Sequence, residues 1–143
     1  MAIVKHLLET KGMDIVRLGP DATALEAVQL MNERRIGSVL VFEDDQLAGI
    51  FTERDLMTRV VAAQLDPAST RLSEVMTTPV ACAAAHTTLD ELRKVVREKR
   101  IRHVPVVEGG RVVGLVSIGD LNRAEHDVQE QTIQYLSQYM SRA

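Results

Sequence analysis

Apolar and polar positions follow two rhythms along this chain, and the succession of rhythms runs through twice. Helically spaced Val4, Leu7 and Leu8 open it, and Lys11-Gly12 ends that turn. Met13 to Leu18 then reads as a short strand. Ala24, Ala27, Leu30 and Met31 form the apolar stripe of a helix that Asp21 or Thr23 can cap. Ser38 to Phe42 and Leu47 to Phe51 are β-rich runs on either side of Asp44-Asp45, and a second helix is predicted from Arg54 to Ala63. After a linker, Gln64 to Thr70, the pattern returns. Leu72, Val75 and Met76 repeat the opening spacing, and Pro79 to Ala83 is the second short strand. Leu89, Leu92, Val95 and Val96 stripe a helix capped by Thr87 or Thr88. Gly109-Gly110 gives a stronger hairpin turn, and a further helix starts near Asp120. Pro105 has no N–H to give, which counts against a central strand; it is expected where that donor is not needed.

The recurrence extends to residue identities. Gly49-Ile50-Phe51-Thr52-Glu53-Arg54-Asp55 returns 65 positions later as Gly114-Leu115-Val116-Ser117-Ile118-Gly119-Asp120. The same ungapped offset pairs Thr23 with Thr88, Glu26 with Glu91, Arg35 with Arg100, Ile36 with Ile101 and Val41 with Val106. A period of that length marks a duplicated supersecondary unit. Each copy reads β-α-β-β-α, an α/β (α+β) fold with repeat 1 over 1–66, repeat 2 over 67–125 and a C-terminal helix over 126–143. Units of roughly 60 residues are marginal alone, so the two copies are expected to share a core. The tail carries Val128, Thr132, Tyr135, Leu136, Tyr139 and Met140 on one side. That stripe suits packing on the chain's own core or a second subunit, or a surface for a different partner protein.

Composition narrows the function classes. Apolar residues make up 45% of the 143, with no Trp and 3% aromatics, so the core is aliphatic and ill suited to stacking nucleic-acid bases. The net charge of −3 with no basic run argues against a polyanionic macromolecule as partner. Cys82, the single cysteine, excludes an internal disulfide and a multi-cysteine metal site, and reads as a small buried packing residue. No apolar run approaches the roughly 18 residues of a membrane span, and the first residues lack a signal peptide's apolar region. A cytoplasmic protein without a membrane or nucleic-acid partner is expected.

The candidate chemistry sits where each hairpin meets its following helix. A hydroxyl at a helix start with an acid three residues on, as in Thr52/Asp55 and Ser117/Asp120, can be a capping box. The same carboxylate, acceptor-only, can take both cis hydroxyls of a ribose. Arg102 and His103 can be a solvated strand end or, placed opposite Asp55, phosphate donors. Gly49 and Gly114 allow close approach of another chain segment or a ligand. A nucleophile needs an activating base in reach, but nothing near either hydroxyl resembles a nucleophile elbow and the helix-start role already explains both, so no catalytic residue is assigned. The histidines and carboxylates offer no metal-ligand spacing either.

With Gly49…Thr52…Asp55, Gly114…Ser117…Asp120 and Ile101-Arg102-His103-Val104-Pro105-Val106 in place, the chain resembles a tandem pair of cystathionine-β-synthase (CBS) domains, the Bateman module. The tail spacing Ile133…Leu136…Tyr139 resembles stand-alone bacterial modules of this type. Copy one departs from the pattern with Leu40 in place of Pro105 and Gly37-Ser38 in place of Arg102-His103. The resemblance implies two repeats in pseudo-twofold symmetry and a non-catalytic regulatory sensor, a homodimer acting on an unidentified protein partner. It implies an adenosine ligand between the repeats: AMP first, with ADP, ATP, NAD or S-adenosylmethionine as other members of the class. Carried over by position, site one takes Thr52, Arg54 and Asp55 with Val80, Ala81, Ile101, Arg102 and His103. Site two takes Ser117, Gly119 and Asp120 with Ile15, Val16, Ile36, Gly37 and Ser38. The alternative is a ligand-independent dimeric adaptor in which both Asp residues only cap helices.

Overall fold

The computed structural model describes residues 2–12, 15–126, 136 and 137. The helix expected over 126–143, with its stripe from Val128 to Met140, falls outside these except for His126, Leu136 and Ser137. Each repeat begins its regular structure where sequence chemistry dictates. Thr23 accepts from the Glu26 amide at 3.1 Å while the Glu26 carboxylate accepts from the Thr23 amide at 3.1 Å. That reciprocal box starts α2, Ala24–Arg34, and Thr88 with Glu91 starts α5, Leu89–Lys99, in the same way. Both helices stop on an arginine in the left-handed region, Arg35 and Arg100, each with φ of 55°.

Hairpins follow. β2, Ser38–Glu43, turns into β3, Gln46–Thr52, and β5, His103–Glu108, turns into β6, Arg111–Ser117. The turn residues all take positive φ: 50° and 63° at Asp44 and Asp45, 60° and 77° at Gly109 and Gly110. Two left-handed residues in succession match the twist of the flanking strands. β1, Arg17–Leu18, and β4, Ala83–Ala84, add to β2 and β5 in parallel, giving two three-stranded sheets ordered β1-β2-β3 and β4-β5-β6.

The first strands are shorter than the predicted Met13–Leu18 and Pro79–Ala83. Each runs along one edge with a ladder on one side only. In copy one, Leu40 of β2 donates its N–H to the Val16 carbonyl at 3.0 Å. Its counterpart Pro105 cannot donate, and β4 begins at Ala83, one position later than the repeat offset from Arg17 would give. Pro105 thus stands in the central strand of its sheet, at a rung the neighbouring strand does not use.

The single shared core expected from repeat size is instead two cores, each closed by a helix lent from the other half. α1, Val4–Lys11, buries Val4 and Leu8 among Leu89, Leu92, Val104 and Val116 of copy two. α4, Leu72–Val75, buries Leu72 and Val75 among Ala24, Ala27, Val39 and Phe51 of copy one. Backbone bonds fix the exchange: Val4 N–H to Thr87 O at 2.8 Å, and Leu72 N–H to Ala22 O at 2.8 Å. Gly49 and Gly114 permit it, since a Cβ there would collide with Met76 and Leu8 respectively. α3, Glu53–Asp55, runs on into the π-helical turn Leu56–Val61, and residues 118–126 form its counterpart, α6.

Candidate functional site

Strand β3 ends at Thr52, so the next residues must cap a new helix, and the hydroxyl and Asp55 do so. Asp55 Oδ2 accepts from the Thr52 amide at 2.9 Å and from its hydroxyl at 3.1 Å, and the Thr52 hydroxyl accepts from the Asp55 amide at 3.3 Å. The other carboxylate oxygen accepts from the Thr77 hydroxyl at 2.8 Å and faces Arg59 at 3.6 Å. Asp55 is 4% exposed, so each of these donors offsets the cost of burying its charge.

The other half of the chain closes over this junction. Arg54 donates to the Arg100 carbonyl at 2.7 Å, and His103 Nε2 lies 3.4 Å from Glu53 Oε1. Burial holds the His103 imidazole below the usual histidine range; Glu53 pulls it upward, while Arg102 and Lys11 push it further down. The Gly37 carbonyl accepts from the Glu53 amide at 3.1 Å, and a side chain at Gly37 would meet Glu53 and His103. Thr52, Arg54, Asp55, Ile101, Arg102 and His103 line one cavity of about 260 Å³.

Two members of the expected set lie elsewhere. Val80 lines a separate space of about 1010 Å³ under the two hairpins, while Ala81 lines neither cavity. That larger space lacks both junction carboxylates, and Arg17 stacks over Phe42 there at 4.3 Å from the ring centre. Cys82, read from sequence as buried, is exposed on the same wall. Seven residues at the small cavity lie outside the expected set: Ile50, Glu53, Thr58, Arg59, Thr77, Lys99 and Arg100. Arg59 had a signal, the i, i+4 spacing from Asp55; Thr77 lies in a lead segment where the repeat register does not hold.

The second junction repeats the box and then diverges. Asp120 Oδ2 accepts from the Ser117 amide at 2.8 Å and from its hydroxyl at 3.0 Å. Where copy one has Thr77, copy two has Lys11. Thr77 pairs its backbone with Ile50 at the strand edge and sends its hydroxyl to Asp55. The longer helix α1 instead delivers the Lys11 ammonium to the Leu115 carbonyl and, at 2.6 Å, to Asp120 Oδ2. Arg123 pairs with the other oxygen of Asp120. Burial alone would raise the Asp120 carboxyl, yet the Lys11 ammonium and the Ser117 bonds hold it below its ordinary value. Of the partners expected from copy one, Ser38 is buried opposite Thr52 in the β2–β3 ladder and Ile36 is exposed. Gly37 lies against Glu53 and His103 of the first junction, while Val16 is tied by its carbonyl to Leu40. Gly119 and Ile15 supply no polar side chain, so this junction offers fewer groups to a ligand.

Comparison with known proteins fits this geometry. The CBS domain family model matches residues 4–62 and 72–127. The CBS domain-containing protein YhcV of Bacillus subtilis is 31% identical over 121 residues, 85% of this chain and 84% of that one. A crystal structure of the CBS-domain containing protein ATU1752 from Agrobacterium tumefaciens superposes with a TM-score of 0.83 at 39% identity, covering 87% of this chain and 99% of that one. A hexameric CBS-CP12 protein from bloom-forming cyanobacteria gives 0.75 at 27% identity, with 85% of this chain and 69% of that one covered. Two matched repeats, two like-ordered sheets and a duplicated hydroxyl–carboxylate junction place this chain in the CBS-domain family, as a tandem pair of the regulatory Bateman-module kind.

Proposed function

We propose that the chain is a non-catalytic sensor that binds an adenosine nucleotide, AMP or a relative, in the cavity at Asp55. The observation that carries this reading is the composition of that cavity. A buried carboxylate able to accept ribose hydroxyls stands across from Arg54, Arg102 and His103, which the opposite repeat and the α3 start bring to one wall. A ligand spanning the two halves favours one packing of them over another and so biases whatever protein binds the module.

The adaptor reading has its own support. Both carboxylate oxygens of Asp55 already have donors within the chain, and the π-helical turn presents Met57 and Val61 to solvent at 60% and 64% exposure. That apolar pair suits self-association, as do the hexamers of the CBS-CP12 relative. In the sensor reading Thr77 and Arg59 share or yield Asp55 when ribose enters. A thermal-shift panel separates the two. At a hundredfold excess over the dissociation constant an adenosine ligand adds about 2.7 kcal/mol, a rise of roughly 5–10 °C. No shift with millimolar AMP, ADP, ATP, NAD or S-adenosylmethionine leaves the adaptor reading.

A further inference from the structure

Beside the Asp55 cavity lies a second one of about 440 Å³, and the two share Arg54, Arg100, Ile101 and Arg102. Its outer wall is α5, which presents Arg93 and Arg97 one turn apart, with Arg100 continuing the same face. Five arginines and one carboxylate, Glu125, line this space in a protein whose net charge is −3. The adjoining cavity adds Arg59 and Lys99 along with Glu53 and Asp55, so seven of the chain's 17 lysines and arginines line the two neighbouring cavities.

Most of that charge is uncommitted. Arg93 pairs with Asp90 at 3.2 Å and donates to the Leu121 carbonyl, and Arg54 is bound to the Arg100 carbonyl. Among the described residues Arg97, Arg100 and Arg102 have no carboxylate partner. Guanidinium groups gathered round a concavity repel one another unless an anion joins them, and their planar fork matches phosphate oxygens. The floor under them, Val96, Ile101, Ile118 and Leu121, is apolar and contributes no competing acceptor side chain.

We infer that this arginine-lined cavity is a polyphosphate annex to the nucleotide pocket, so that the preferred ligand carries a chain of three or more phosphates. The inference rests on the nucleotide reading of the Asp55 cavity. A nucleoside seated at Asp55 directs its first phosphate to Arg54 and Arg102, and Arg100 then leads the chain toward Arg97 and Arg93. AMP ends before the annex; ATP reaches it.

Calorimetric titrations of AMP, ATP and inorganic triphosphate in magnesium-free, low-salt buffer test this on the wild type and on Arg97→Gln. The Arg97 side chain has no ion-pair partner among the described residues, so its loss leaves the fold intact. ATP is expected to bind at least tenfold tighter than AMP. Arg97→Gln should weaken ATP by about tenfold, the scale of one charge-assisted contact, and leave AMP unchanged. Triphosphate alone should bind, compete with ATP, and weaken in the same variant. AMP and ATP of equal affinity, or an Arg97→Gln effect equal on both, would sink the annex while leaving the nucleotide reading intact. Triphosphate binding that depends on Arg97, with no binding of AMP or adenosine, would instead sink the nucleotide reading and keep the anion site.

Discussion

At the scale of single residues, the two junctions differ most in what their carboxylates touch. Asp55 faces a neutral hydroxyl from Thr77 and a more distant Arg59, whereas Asp120 is neutralised by Lys11 at 2.6 Å and by Arg123. A ribose can share Asp55 with Thr77, but at Asp120 it must displace an ammonium that a buried carboxylate holds well. Lys11→Met therefore removes the ammonium from Asp120 Oδ2, leaving the exposed Arg123 on the other oxygen, and titration with adenosine should change from one molecule per chain to two. A stoichiometry of one in both proteins would mean that Lys11 is not what closes the second junction. The variant carries a pH signature too. The Asp120 pKa is lowered in the folded state, so its stabilising contribution is complete above the usual carboxylate range and is lost as pH falls through the lowered value. Without Lys11 that acid-side loss becomes smaller.

At the scale of elements, the exchanged helices decide the architecture. Leu8 of α1 fits into copy two because Gly114 has no side chain. Gly114→Ala should cost about 1–3 kcal/mol by overpacking, and Leu8→Ala alone about 2–5 kcal/mol. In urea unfolding the double variant should be clearly less destabilised than the sum, since the new methyl fills the space that Leu8 left; strict additivity would mean the two do not meet. Much of this level was legible in the chain. Thr23/Glu26 and Thr88/Glu91 are local boxes, the hairpin turns are two-residue signals, and the 65-residue offset located both junctions. What sequence concealed was non-local. Val4-Leu7-Leu8 and Leu72-Val75-Met76 look alike as patterns, yet neither says which repeat it will cover. The shared core and the placement of Val80 with site one failed for that reason, and Lys11 was missed because its position depends on the exchange.

At the scale of the whole molecule, duplication made two equal frames and divergence made them unequal. The β3–α3 junction has Glu53 and Arg54 where the other has Ile118 and Gly119, and it faces Arg102 and His103 where the other is offered Gly37 and Ser38. Cations gather on one side of an acidic chain, at one junction, while the other junction closes on its own lysine. A single nucleotide per chain, held at Asp55 with its phosphate toward Arg102, is the outcome this asymmetry predicts. Calorimetry of AMP and of adenosine against the wild type and Arg102→Ala tests it most directly. Arg102 contributes its carbonyl to the Ile118 amide, a bond that alanine retains. One AMP per chain is predicted, weakened by about tenfold in Arg102→Ala, with adenosine affinity unchanged. Two equivalent AMP sites, or the same loss for AMP and adenosine, would contradict it.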